Sequence, residues 1–207
     1  MSLPTQREAE AFLTPLRSRS TVFLVDNRAT DLLFSRFLLG CLVRTRNEAL
    51  VADINAFYGS NARRVAPESD ALQNISLSLP PPSFAVEPWI IDFLIGAVDA
   101  AVVILDDLNT LYHLLSFDGS KRAGNRMSFL MALTSFLART RRQTIFSKVY
   151  ARSRPIQNSR RGARSLDRLG DLRVSVEYQA NELTFTSRNG RGWRDGTFSV
   201  RVTYLEL

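Results

Sequence analysis

Apolar and polar positions along the chain follow two alternating periods. Residues 21–25 (TVFLV) form a short β-branched apolar run, the pattern of a buried strand. From Asp31 the apolar positions Leu32, Leu33, Phe37, Leu38, Cys41 and Leu42 follow helical spacing, with Arg36, Arg44 and Arg46 off that face. Residues 49–54 and 75–79 are the next strand candidates, the second running into Pro80-Pro81-Pro82. Residues 84–98 resume a helical pattern, with Trp89, Ile90, Phe93, Leu94 and Ala97 on one side. The run at 100–105 (AAVVIL) is continuous and apolar and ends at Asp106-Asp107, as in a central strand covered on both faces. A helix is predicted over about 125–139 and a strand over 144–150. After an arginine-rich stretch, 172–178, 182–187 and 197–204 read as strands, with Asn189-Gly190 and Asp195-Gly196 as turn signals. Residues 1–20 predict a polar lead-in helix opening near Thr5 and stopped near Pro15.

Strands alternating with helices predict an α/β fold, a mostly parallel central sheet flanked by helices. The closing run of strands would extend that sheet antiparallel. No repeat or low-complexity linker interrupts the pattern, so 1–207 reads as one domain, a lead-in over 1–20 and a core over 21–207. No apolar run reaches the roughly 18 residues of a membrane span. The N-terminus lacks a basic segment followed by an apolar one, so a cytoplasmic location with no membrane partner is expected. One cysteine, Cys41, and one histidine, His113, leave little material for a disulfide framework, a Cys- or His-rich metal centre, or most Ser-His-Asp arrangements. Cys41 sits on the apolar helical face and reads as a small buried hydrophobe.

The charge is local. The chain holds 25 Arg and 2 Lys and has a net charge of +7, and the window 148–168 carries +6 of it. Its cations are Lys148, Arg152, Arg154, Arg160, Arg161, Arg164 and Arg168, against the single anion Asp167. Such a run is a candidate anion surface, and the planar guanidinium fork pairs bidentately with phosphate. A solvated loop rich in arginine is the plainer reading of the same run. Aromatic residues are nearly absent from it, which points to phosphate contacts and not to base stacking.

In order and spacing these elements resemble the core of RecA/RadA-type recombinases and their KaiC-like relatives, over roughly 18–205. The carriers are the first strand and turn (21–31), the long helix, Asp53 at the end of the second strand, and VVILDDL, which is similar to a Walker B strand. A loop and helix (116–139), the strand TIFSKVY, a basic loop and the terminal strands complete the match. The resemblance implies a RecA-like fold whose two loops after central strands line a path for single-stranded DNA. Here these would be 116–126, with Lys121, Arg122 and Arg126, and 151–167, with Arg152, Arg154, Arg160, Arg161 and Arg164; Lys148 and Arg168 flank the second.

The chain departs from that family at the phosphate loop. A G-x-x-x-x-G-K-[ST] loop cradles phosphate with backbone N–H groups, neutralises it with lysine and holds Mg²⁺ with the hydroxyl. Here the turn is Asp26-Asn27-Arg28-Ala29-Thr30-Asp31, without glycine or lysine and with carboxylates facing the phosphate position. Together with Asp106 and Asp107 these residues form a degenerate nucleotide site: Asp26, Asn27, Arg28 and Thr30 on one side, the two aspartates on the other. The expectation is a protein that hydrolyses no ATP, needs no cofactor, and binds DNA, single-stranded before duplex, in support of a recombinase or another repair factor.

Two other classes compete. One is an interaction subunit of an active RecA-like ATPase or of further copies of itself. The other is a metal-dependent nuclease using Asp106, Asp107 and Asp118 as hard oxygen ligands, although no accompanying Glu-x-Lys pattern is present. For Asp106 and Asp107 the plainer role is to end a strand by accepting loop N–H bonds or pairing with a cation. His113 reads as a hydrogen-bonded structural residue, and Trp89 and Trp193 as core or turn packing. Phe12-Leu-Thr-Pro faintly resembles the Phe-x-x-Ala segment by which recombinase protomers dock; packing on the chain's own core is the plainer account.

Overall fold

The computed structural model describes residues 4–59, 73–82, 85–117, 120–150, 171–187, 193 and 196–202, with the backbone only at 120 and 121. Its elements are α1 (Gln6–Leu13), a 3₁₀ turn (Thr14–Leu16), β1 (Ser20–Val25), α2 (Arg28–Thr45), β2 (Ala49–Asp53), β3 (Ile75–Ser78) and α3 (Val86–Gly96). There follow β4 (Val102–Asp106), α4 (Leu108–Leu115), α5 (Ser120–Thr140), β5 (Thr144–Tyr150), β6 (Leu172–Gln179), β7 (Glu182–Ser187) and β8 (Thr197–Arg201). The strands form one sheet of eight in the order β3-β2-β4-β5-β1-β6-β7-β8. Neighbours from β3 to β6 pair in parallel, and β7 and β8 extend the sheet antiparallel. The mostly parallel α/β architecture expected from the pattern is therefore present.

Strand parity distributes the core. Phe23, Val25, Val102, Ile104 and Phe146 face α1 and α2, whereas Val22, Val103, Leu105, Ile145 and Val149 face the layer of α3, α4 and α5. Every residue of β4 is buried, because helices cover both of its faces. The α2 side centres on Phe12, whose ring centroid lies 4.9 Å from that of Phe185 and 5.0 Å from that of Phe37. Phe12 is fully buried there, which excludes it as a docking residue and leaves own-core packing. Trp193 joins the same aromatic cluster, 5.7 Å from Phe12.

Two expectations are corrected. Residues 120–126, read as part of a loop, are the first turns of α5. Ala123, Met127, Leu130 and Met131 form a buried stripe at helical spacing that outweighs the permissive Gly124 between them. The helix α4 was not foreseen. Asp107 caps it by accepting from Thr110 N at 2.7 Å, and Leu108, Leu111, Tyr112 and Leu115 make its buried face. His113 lies exposed on this helix, not in a loop, and its side chain makes no hydrogen bond among the described residues. The turn at Asn189-Gly190 lies outside the described residues.

Candidate functional site

All six parallel strands end at one edge of the sheet, the edge at which α/β proteins commonly hold ligands. Parity decides what gathers there. Lys148 is two residues beyond Phe146 and so faces α2; Asp106, two beyond Ile104, faces the same way. The pairing of Leu105 with Ser147 sets these two side chains next to each other. Asp31, in the first turn of α2, closes the group from above.

Lys148 Nζ pairs with Asp31 Oδ1 and, at 2.6 Å, with Asp106 Oδ2. Ser35 Oγ stands 3.4 Å from both Lys148 Nζ and Asp31 Oδ1, and the Tyr150 hydroxyl donates to Asp31 Oδ2. The Phe57 ring centroid lies 4.8 Å from the ammonium. Asp31 and Asp106 are 0% exposed and Lys148 is 3% exposed, so this is an interior ion cluster. Burial pushes the Asp106 carboxyl up to about 7, outweighing the pull of Lys148, and its Oδ1 is buried without a partner among the described residues. Burial draws the Lys148 ammonium down, but Asp106 and Asp31 outweigh it and hold Lys148 above the usual lysine range. Burial, and then neighbouring carboxylates, raise the phenols of Tyr58 and Tyr150.

The remaining carboxylates act as caps. Asp53 accepts from Tyr58 N at 3.0 Å and Gly59 N at 2.7 Å, and Asp107 also accepts from Asn55 Nδ2 at 2.9 Å. Asn27 caps α2: its Oδ1 accepts from Thr30 N at 3.0 Å and lies 3.3 Å from Thr30 Oγ1. The turn between β1 and α2 is two residues long, Asp26 and Asn27, and Arg28 is exposed in the first turn of the helix. A helix N-terminus receives a phosphate through free N–H groups. Here the cap is the chain's own side chain, and Asp26 stands immediately before it.

The expected basic residues separate. Lys148 is corrected from a DNA-facing cation to a buried structural one, because an interior strand position can hold a lysine only beside carboxylates. Arg126 pairs with Glu87 at 2.9 Å and donates to the Leu115 carbonyl at 3.2 Å, fixing it between α3, α4 and α5. Arg122 is exposed in the first turn of α5. The side chain of Lys121, together with Arg152, Arg154, Arg160, Arg161, Arg164, Arg168 and Asp118, lies outside the described residues. Among the described residues no group of three His, Cys, Asp or Glu side chains is placed to hold a metal ion. No helix among them is long and apolar enough to cross a membrane.

Sequence reasoning missed Asp31, Ser35 and Tyr150 as members of this cluster. The signal was there: Lys148 is the one charge in the strand TIFSKVY, and once that strand is buried it obliges a carboxylate on the facing helix. Compared with known proteins, the chain matches no family model, and no curated protein matches it.

Proposed function

We propose that this chain is a RecA/RadA-like protein without a nucleotide site, which binds single-stranded DNA through arginine-rich segments and supports recombination or repair without hydrolysing ATP. The observation that carries the nucleotide-independent part is the closed end of β1 and β4. Asn27 caps the helix that would hold phosphate, and Lys148 sits between Asp31 and Asp106 as a built-in cation. The element order and the parallel sheet with its antiparallel C-terminal extension support the family reading. DNA as the ligand rests on charge: residues 151–170, which follow β5 in sequence, hold six arginines, and β5 itself ends on the edge where Arg122 opens α5.

Replacing Arg160, Arg161 and Arg164 by alanine should weaken DNA binding similarly across sequences, because phosphate contacts carry no base information. Millimolar Mg-ATP should leave the thermal midpoint of the protein unchanged, since only a ligand of the native state raises it. Unaltered DNA affinity in the triple variant, or a midpoint raised by ATP, contradicts the proposal.

One observation favours the interaction-subunit reading. Phe129 and Phe136, seven residues apart on α5, are 55% and 61% exposed, and Ile95 and Val98 at the end of α3 are exposed as well. Two exposed phenylalanines on one face of a helix, at i and i+7, are a candidate interaction surface. A subunit of that kind tolerates the arginine changes and loses its partner when Phe129 and Phe136 become serine.

A further inference from the structure

The opposite edge of the sheet, where β1, β4 and β5 begin, holds a cavity of about 170 Å³. Its polar wall is Arg17, Ser18, Asn47, Arg142 and Thr144, and among the described residues no carboxylate lines it. We propose that this cavity is a phosphate-binding site in which Arg17 and Arg142 supply the cations. The inference is independent of the DNA reading above, which places its contacts at the other edge.

The cations are available. Neither Arg17 nor Arg142 has a side-chain hydrogen bond or ion pair among the described residues, and the same holds for Arg19 and Arg46 nearby in the fold. Of the carboxylates at this edge, Asp171 pairs with Arg139, and Glu48 and Asp99 line a separate cavity of about 300 Å³ and not this one. The floor is fixed by two bonds across the strand ends. Ser18 N donates to Thr144 Oγ1 at 3.1 Å, and Ser18 Oγ donates to the Arg142 carbonyl at 3.0 Å. The Thr144 hydroxyl keeps its own proton to offer.

The backbone supplies the second argument. Ser18, Arg46 and Arg142 have φ of +56°, +51° and +55°, a left-handed conformation that glycine or asparagine adopts far more readily. Arg46 and Arg142 follow the ends of α2 and α5, where the helix dipole favours a cation. That gain is no larger than the cost of the left-handed backbone, so the dipole alone does not account for arginine at 142, the one of the two that lines the cavity. A ligand that needs the charge does. Guanidinium forks match phosphate bidentately, which sets the chemical class; the phosphate belongs to a small anion or to a nucleic-acid backbone.

The test uses two probes on the full chain, inorganic phosphate and a labelled oligo(dT), with the arginine Nε–Hε NMR signals as the readout and titration for affinity. The variants are Arg17→Gln and Arg142→Asn, with Arg201→Gln as a control on an exposed strand. Arg142→Asn should melt at the wild-type temperature or above, because asparagine tolerates left-handed backbone, so loss of binding cannot be ascribed to unfolding. Either probe should shift the Arg17 and Arg142 signals, and each variant should weaken that probe by about tenfold or more. A response to inorganic phosphate identifies a small-anion site, and a response to oligo(dT) alone identifies a nucleic-acid site. Signals that neither probe moves, or wild-type affinity in both variants, overturn the proposal. Oligo(dT) binding that falls only with Arg160, Arg161 and Arg164 overturns it too, while leaving the DNA reading intact.

Discussion

Lys148 is held by two carboxylates with 0% exposure each, and each member of the group is tolerable only because of the others. Lys148→Met leaves Asp31 and Asp106 buried without a counter-ion and should cost about 3–5 kcal/mol in urea unfolding, the range for breaking a buried pair from one side. A loss below about 1 kcal/mol would show that the cluster is solvated. The same group sets a pH dependence. An unfolded aspartate titrates near 3.9, about three units below the folded value of about 7 for Asp106. Between these values the native state keeps a proton that the unfolded chain releases, so this group's contribution to stability falls as pH rises from about 4 to about 7. The stability of Asp106→Asn relative to wild type should therefore rise across that window and level off above it. A flat or falling difference contradicts the assignment. Lys148 was legible as an anomaly, a charge within an apolar strand. Its partners were not, since register between β4 and β5 depends on contacts far apart in the sequence.

At the scale of elements, hydrophobic period was sufficient where an element is long or central. The strands at 144–150 and 182–187 begin and end where the pattern places them, and β4 is buried along its whole length. The period failed at α4 because Asp106-Asp107 reads as a terminus, although Asp107 and Thr110 already carry an N-cap spacing. The start of α5 was missed because its charged residues suggest a loop, whereas Ala123 and Met127 continue the buried face inward. The hairpin between β6 and β7 turns on Ala180 and Asn181, with φ of +49° and +63°. Both residues of this two-residue turn are left-handed, which suits asparagine and glycine and penalises alanine. Ala180→Asn should stabilise the protein by about 1 kcal/mol, raising the thermal midpoint by roughly 2–4 °C. An unchanged or lower midpoint would show that the turn relaxes to another type.

On the scale of the whole molecule, the buried ion cluster and the arginine run divide the chain's charge between them. At the described C-terminal edge Lys148 neutralises Asp31 and Asp106 internally, and β5, which the arginine run follows in sequence, ends at the same edge. The absence of a glycine-rich phosphate loop was legible directly, because that loop requires particular residues in consecutive positions. Which cation compensates Asp31 and Asp106 required the fold. If the arginine run neutralises about six phosphates of a single strand, log K against log[salt] should have a slope near −4. A partner-binding subunit predicts no such slope and instead depends on Phe129 and Phe136. The most direct measurement is therefore a fluorescence-anisotropy titration of labelled single-stranded DNA at several salt concentrations, with and without Mg-ATP. Micromolar or tighter binding with a slope near −4, the same in both conditions, is the predicted result; no binding at low salt, or binding that requires ATP, contradicts the account.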